Sequence, residues 1–506
     1  MSSSHQPHDN DPVNEDDNEM FDPADAAEEI EDIDGDGDAA MDSGDEDAQG
    51  EGQGEDQLMQ EEYELVNDSI AHFDHHKDSI FCIAQHPTRP EIVATGGSEG
   101  DDEAGAGYIF DATPEPSPLL PASYQSNPDE RVERRGLEPI FRLEGHADSI
   151  NALTFTLPDG KFLLSGGLDG KLRAYVTNGS KWKFYTEAQE VEEINWLIAC
   201  PNANSPNTFA LGANDGSVWV YKVDPSQKGA PLQLMQSYFL HKESCTAGAW
   251  SPDGKLLATV SEDGSLYVWD VFGEAAAAGL NQGESGQTVV GLTALDQRFA
   301  VEGGLFSVGI APSGHFVAVG GAGGSIKIVG LPRLGDTSGA ASKSKGGKAA
   351  AGRAAAASAG QTGQILADLQ AQGDGIESIA FAQPPLTLMA TGSVDGSIAL
   401  FDCAHRFAVR RHIKEAHEEY SVVKVEFLKN ANAGGWLLTS CGMDGVVRRW
   451  DTRGGTGIAN SGFVREWKGH RGDGEGGGVL GFVQGGGGRI VTAGDDGISL
   501  VFDSPI

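Results

Sequence analysis

The first 64 residues contain no lysine and no arginine, although they hold 25 of the chain's 76 aspartates and glutamates. A segment with charge of one sign and little apolar surface has nothing to offset the entropy of ordering, so residues 1–62 read as a disordered acidic tail. Cysteine is scarce too. The five thiols, Cys82, Cys200, Cys245, Cys403 and Cys441, are too scattered for a zinc cluster. Their odd number, with no secretory leader, argues against a disulfide framework and for a reducing compartment, the cytoplasm. No apolar run approaches the roughly 20 residues of a membrane helix. Basic residues are few throughout: 35 Lys and Arg leave a net charge of −41, of which −16 falls after residue 64. Such a surface repels phosphate backbones and anionic lipid heads and attracts basic polypeptides, so neither nucleic acid nor membrane is an expected partner.

Catalytic constellations are also missing. The runs Gly476 to Gly478 and Gly485 to Gly488 lack the strand, Lys-Ser/Thr and helix context of a phosphate loop and read as turns. His75 and His76 with Asp74 and Asp78 come nearest to a metal cluster, but one of these histidines fits the repeat described next. No metal, no cofactor and no enzymatic activity are expected.

Glycine, by contrast, is abundant, at 70 residues spread between short β-branched and aromatic runs, which is how tight turns joining short strands look. From Tyr63 onward one unit recurs. Its clearest copy runs from His241 to Asp270, with Pro252, Asp253 and Gly254 turning a first strand into a second, and Asp263-Gly264 turning the second into a third. Equivalent second turns fall at Glu99-Gly100, Asp169-Gly170, Asp215-Gly216, Gly323-Gly324, Asp395-Gly396, Asp444-Gly445 and Asp496-Gly497, which makes eight units.

These units resemble the WD-repeat family, and the resemblance implies an all-β, eight-bladed β-propeller over residues 63–506, acting as a monomer. In that family a lead-in His, a Ser or Thr four before the turn Asp, that Asp, and an aromatic six after it form a hydrogen-bonded set. His146, Ser165, Asp169 and Tyr175 fill the four places, as do His241, Thr259, Asp263 and Trp269, and then His470, Thr492, Asp496 and Phe502. Another unit keeps Ser440, Asp444 and Trp450, with His417 one place out of register, while the fifth offers only Gly324 and Gly330 for the Asp and the aromatic. A propeller must close, so Leu65 to Phe73 is expected as the outermost strand of the last blade. Insertions follow the third strand at Ala112 to Gly136, Phe272 to Thr288 and Pro332 to Gly360, the last a mobile loop by composition.

Counting seven residues back from the end of each first strand gives Asp78, Asp148, Glu192, Glu243, Gly303, Asp374, Tyr420 and Glu475, six of them acidic. Glu302 adjoins Gly303, and Glu418 and Glu419 adjoin Tyr420. In WD-repeat propellers this register lies on the upper face near the central opening, with Glu193 and Glu377 closer still. The loops between second and third strands add Glu99, Asp101, Asp102, Glu103, Glu262 and Asp495. Asp is common in such loops for turn reasons alone, which accounts for part of the ring. Like charges around one opening also repel, which favours a function for it.

Within the WD repeats, the acidic leader, the eight units and the stretches Asp78 to Ile83 and Ile92 to Gly97 resemble the branch of Sqt-type ribosome-assembly chaperones and angio-associated migratory cell protein. That resemblance implies a dedicated chaperone of one basic large-subunit ribosomal protein, L10 (universal name L16), held until it joins the 60S precursor. Two other classes remain open at this level. One is a signalling or trafficking scaffold; the other is a substrate receptor of a cullin-RING ubiquitin ligase, because Trp450-Asp451-Thr452-Arg453 resembles the motif of such receptors.

Overall fold

Most repeats contain a run of six apolar or small residues, and these runs become second strands buried along their whole length: Ile92–Gly97, Phe162–Gly167, Thr208–Ala213, Leu256–Ser261 and Leu388–Ser393. A strand buried on both faces must lie inside a sheet and between two sheets. The structure, a computed structural model, describes residues 66–505 apart from 101–103, 114–133, 180, 282–286, 335–360, 430–433, 456–458, 473–475 and 487. The expected disordered tail lies outside the described residues.

Eight antiparallel sheets stand around one axis, and their first strands neighbour one another in sequence order. The chain opens with β1 (Ala71–Phe73), and blade one follows as β2 (Cys82–Gln85), β3 (Ile92–Gly97), β4 (Ala106–Asp111) and, after the two-residue β5 (Arg135–Gly136), the outer strand β6 (Pro139–Leu143). There is no single central core. Apolar side chains fill wedges between neighbouring blades: Ile109, Leu143, Ile150, Leu163 and Trp182 join blades one and two, and Leu266, Val289, Phe299, Leu305 and Val317 join blades four and five. The second turns need glycine for two reasons. Gly170 has φ 70°, and a Cβ there would sit 2.0 Å from the Val191 carbonyl oxygen.

Closure follows the expectation. β1 is the outer strand of the last blade, antiparallel to Ser499–Asp503, with Ala71 opposite Val501 and Phe73 opposite Ser499. One strand was not foreseen: β5 adds to β1 in parallel as a fifth strand, so the blade-one insertion returns over the closing strand. The Leu137 N–H donates to the His72 carbonyl at 2.8 Å, and the Arg134 guanidinium donates to the carbonyls of Ser69 and Asn67.

Blade five is regular despite its missing polar set, with strands Leu305–Ile310, Phe316–Gly321, Ser325–Gly330 and Ile365–Gln370. The sequence register was one residue off there. Val329 pairs with Val317 as Trp269 pairs with Leu257, and Gly324 takes the positive φ of Gly264. The residues standing for Asp and aromatic are therefore Gly323 and Val329, not Gly324 and Gly330. Fully buried Ile326, Ile328 and Val329 hold by apolar contact what the other blades hold in part by hydrogen bonds.

Candidate functional site

The polar sets that brace the upper face come first, because they fix its loops. In blade two, His146 lies 2.7 Å from the Ser165 hydroxyl through Nε2 and 3.0 Å from Asp169 through Nδ1. Asp169 also accepts the Ala147 and Lys171 N–H groups, at 2.7 and 3.0 Å. Burial works against this carboxylate, but the bonds from His146, Ala147 and Lys171 outweigh it and hold its pKa at about 2. Blade eight repeats the arrangement with His470, Thr492 and Asp496. His417 closes the set in blade seven in full, 2.9 Å from Asp444 and 2.7 Å from Ser440, while the Trp450 indole donates to Ser440. Its apparent one-place offset is absorbed by a turn in which Glu415 and Glu418 take positive φ.

Blade four differs in detail. His241 reaches Thr259 at 2.8 Å and Ser265 at 2.6 Å, and Ser265, not His241, bonds Asp263. Trp269 donates to Thr259 at 2.8 Å. Burial lowers the His241 pKa to about 4. Blade six copies this relay with an amide in place of the imidazole: Gln372 accepts from Thr391 and donates to Ser397, which bonds Asp395. Gln372 escaped the sequence reading, although its distance of 19 residues from Thr391 equals that of His146 from Ser165. Blade one uses His76, whose pKa burial and the nearby His75 and Arg142 lower to about 3. Its carboxylate is Glu99, 3.8 Å from His76 and 4% exposed. Glu99 therefore sits inside the blade, not on the acidic face where the sequence reading put it.

The rim itself is registered by one backbone bond per blade, from the second turn to the residue before the first strand, or in blade one to Ser79 three residues ahead of it. Ser98 N–H donates to Ser79, Leu168 to Ser149, Asn214 to Glu193, Glu262 to Ser244, Ala322 to Gly304, Val394 to Gly375, Met443 to Ser421, and Asp495 to Gly478. One residue earlier stand Asp78, Asp148, Glu192, Glu243, Gly303, Asp374, Tyr420 and Gly477. The blade-eight member is thus Gly477 and not Glu475, because the first strand there is equivalent through Gln484 and not Phe482. Five of the eight are acidic. Asp148, Glu192, Glu243 and Asp374 are exposed, as are Glu262, Glu302, Glu418 and Glu419, whereas Asp78 and Glu193 are half-buried. Asp495 braces two lead-in loops, accepting from Ser79 Oγ at 2.6 Å and Gly476 N–H at 2.7 Å. Asp101, Asp102, Glu103 and Glu475 lie outside the described residues.

At the bulge that opens the first strand in blades two to eight stand Asn151, Asn195, Thr246, Phe306, Glu377, Val423 and Leu480, and in blade one Phe81 immediately precedes the first strand. Glu377 meets water, yet the crowded mouth and then Asp374 beside it raise its pKa. An anion held there gains from a cation. Asn151 and Asn195 point sideways, bonding carbonyls of the next blade.

The opposite face carries the turns of Asp159 and Lys161 and of Asp253 and Lys255, the latter paired with Glu274 at 2.8 Å. In the Trp450-Asp451-Thr452-Arg453 stretch, Arg453 grips Asp451 through both carboxylate oxygens and Thr452 is buried on the Trp436 carbonyl. Arg411 pins the carbonyls of Asp451, Arg453 and Ser461. That stretch is held by bonds within its own blade and by Arg411 from the outer strand of blade six. Among the described residues no group of three or more His, Cys, Asp or Glu is placed to hold a metal, and no helix is long and apolar enough to cross a membrane.

Eight blades, several of them braced by His, Ser/Thr and Asp, define a WD-repeat propeller, and residues 137–175 and 232–270 match the family described as WD domain, G-beta repeat. The chain is 28% identical to the ribosome assembly protein SQT1 of Saccharomyces cerevisiae, over 91% of this chain and 93% of that protein. It is 24% identical to human angio-associated migratory cell protein over 80% of this chain and 74% of the relative. The crystal structure of Chaetomium thermophilum Sqt1 superposes with a TM-score of 0.74 and 57% identity, covering 87% of this chain and 98% of that one. A second structure, of the same protein bound to the N-terminus of the ribosomal protein L10, matches at 56% identity with the same TM-score, covering 87% of this chain and all of that one. The chain belongs to the Sqt1 family of WD-repeat proteins.

Proposed function

We propose that this protein is a dedicated chaperone of the large-subunit ribosomal protein L10, receiving the basic N-terminal segment of its client on the acidic upper face and delivering it for 60S assembly. The observation that carries the reading is the Chaetomium thermophilum Sqt1 structure with the L10 N-terminus bound, similar to this chain over 87% of its length. The rim supplies a physical reason. Asp148, Glu192, Glu243 and Asp374 project into solvent at one level around the opening, with Glu193 and Glu377 inside them, a field that draws in and orients a cationic peptide. Such a field masks charge that would otherwise bind RNA prematurely. The work done is binding, in the cytoplasm and without catalysis.

The test is calorimetry with a synthetic peptide of the L10 N-terminus at low and at high salt. Wild type should bind, more weakly at high salt. Glu193→Lys with Glu377→Lys should weaken low-salt affinity at least tenfold, about 1.4 kcal/mol. Asp159→Lys with Asp253→Lys shifts net charge equally on the far side and should leave affinity nearly unchanged. Equal losses in the two pairs would place binding off the upper face, and no binding by wild type would end the chaperone reading.

A further inference from the structure

Among the described residues the mouth is not equally acidic all the way round. At the outer register carboxylates stand on blades one to four and six, while blades seven and eight present Tyr420 and Gly477, with Glu418 and Glu419 on the turn leading into Tyr420. At the inner level the same sector carries Val423 and Leu480, followed by Phe81 of blade one, which is 38% exposed. Met443, on the second turn of blade seven, extends this arc toward blade eight. Gly478 makes room for it: a Cβ there would lie 2.7 Å from the Met443 sulfur. Tyr420, Val423, Met443 and Leu480 are all half-buried, so part of each side chain meets water.

We propose that the opening takes an amphipathic segment, with its cations toward the carboxylates of blades one to four and its aromatic or aliphatic side chains covering Tyr420, Val423, Met443, Leu480 and Phe81. The inference rests on the chaperone reading and adds to it. The carboxylate arc fixes the occupant as cationic and the facing arc fixes its other side as apolar, because an exposed aromatic beside a charged ring gains from burial only against apolar surface. Charge alone would accept any basic tail. A second, apolar requirement separates one client from the many lysine-rich and arginine-rich extensions in a cell.

The two contributions separate by salt. With the same L10 peptide, Phe81→Ser combined with Leu480→Ser should weaken binding about tenfold at low and high salt alike, leaving the salt slope as in wild type. Asp148→Lys with Glu192→Lys should instead flatten the slope. Phe81→Leu, which keeps an apolar side chain, should bind close to wild type. The heat-capacity change of wild-type binding should be negative, and it needs no variant to fold. Wild-type binding with a heat-capacity change near zero, or unchanged affinity in the serine pair, overturns the apolar arc and leaves the chaperone reading standing. Failure of wild type to bind overturns both.

Discussion

His241 and Gln372 hold equivalent places, each bridging a threonine and a serine that bonds the turn aspartate. The amide has no proton to gain in the physiological range; the imidazole has. Burial lowers the His241 pKa to about 4 in the folded chain, while the unfolded side chain titrates near 6.5. Between those values the unfolded state binds the extra proton, so stability falls as pH falls through that window. His241→Gln should therefore keep the melting temperature near wild type at about pH 8 and lose less of it by about pH 5, as scanning calorimetry would read. His76, lowered to about 3 by burial and its cationic neighbours, keeps part of the acid sensitivity in the variant. An unchanged pH slope would rule out the imidazole as the acid-labile link. The sequence revealed the bracing wherever His, Ser or Thr and Asp stood at fixed distances amid apolar runs. It hid Gln372, whose amide signals nothing by itself, and it hid Ser265 and Ser397, which look like ordinary turn residues.

At the scale of strands, the eight blades and their closure were legible, because each second strand is a short apolar run bounded by glycine turns. The fifth strand of the last blade was not, since β5 is two residues long and holds β1 by backbone bonds that any sequence can make. The rim slipped at blade eight for a related reason: glycines around Val479 give no apolar alternation from which to count. β1 itself is only three residues, and Arg134 ties its approach to the blade-one insertion. Arg134→Ala should remove charge-assisted bonds worth about 1 kcal/mol at this partly exposed site. Hydrogen exchange should then speed up at Ile70 to Phe73 while the buried second strands stay protected. Exchange unchanged at those four residues would show that pairing with Ser499–Asp503 suffices.

For the whole molecule, the rim and the far side differ in how their carboxylates are neighboured. Asp148, Glu192, Glu243 and Asp374 stand exposed at one register of the rim, whereas the far side sets Asp159 beside Lys161 and pairs Lys255 with Glu274. Sequence alone gave the excess of charge but not its geometry, since Glu99 counts like any other acid until its burial is seen. The N-terminal segment adds charge with few apolar residues to fold with. A chain beginning at Tyr63 should accordingly melt where the full chain does, with at most a slower association with a basic peptide at low salt. A lower melting temperature on truncation would mean that the segment contributes to the fold.

Because β1 is made at the start of the propeller and its partner Ser499–Asp503 at the very end, synthesis leaves the two halves of one blade separated by the translation of everything between them. Until the final strand emerges from the ribosome, the seam has one lip only, and the sheet edge beside Val491 and Phe502 does not exist to receive it. A messenger cut short within the last blade would yield a ring that cannot shut, with Phe73, fully buried in the finished protein, covered on its blade-one side by Phe110 but stripped of Val501. The seam thus makes the last strand of the propeller a condition of a sound fold, since without it β1 lacks its antiparallel partner and an apolar sheet edge is left showing.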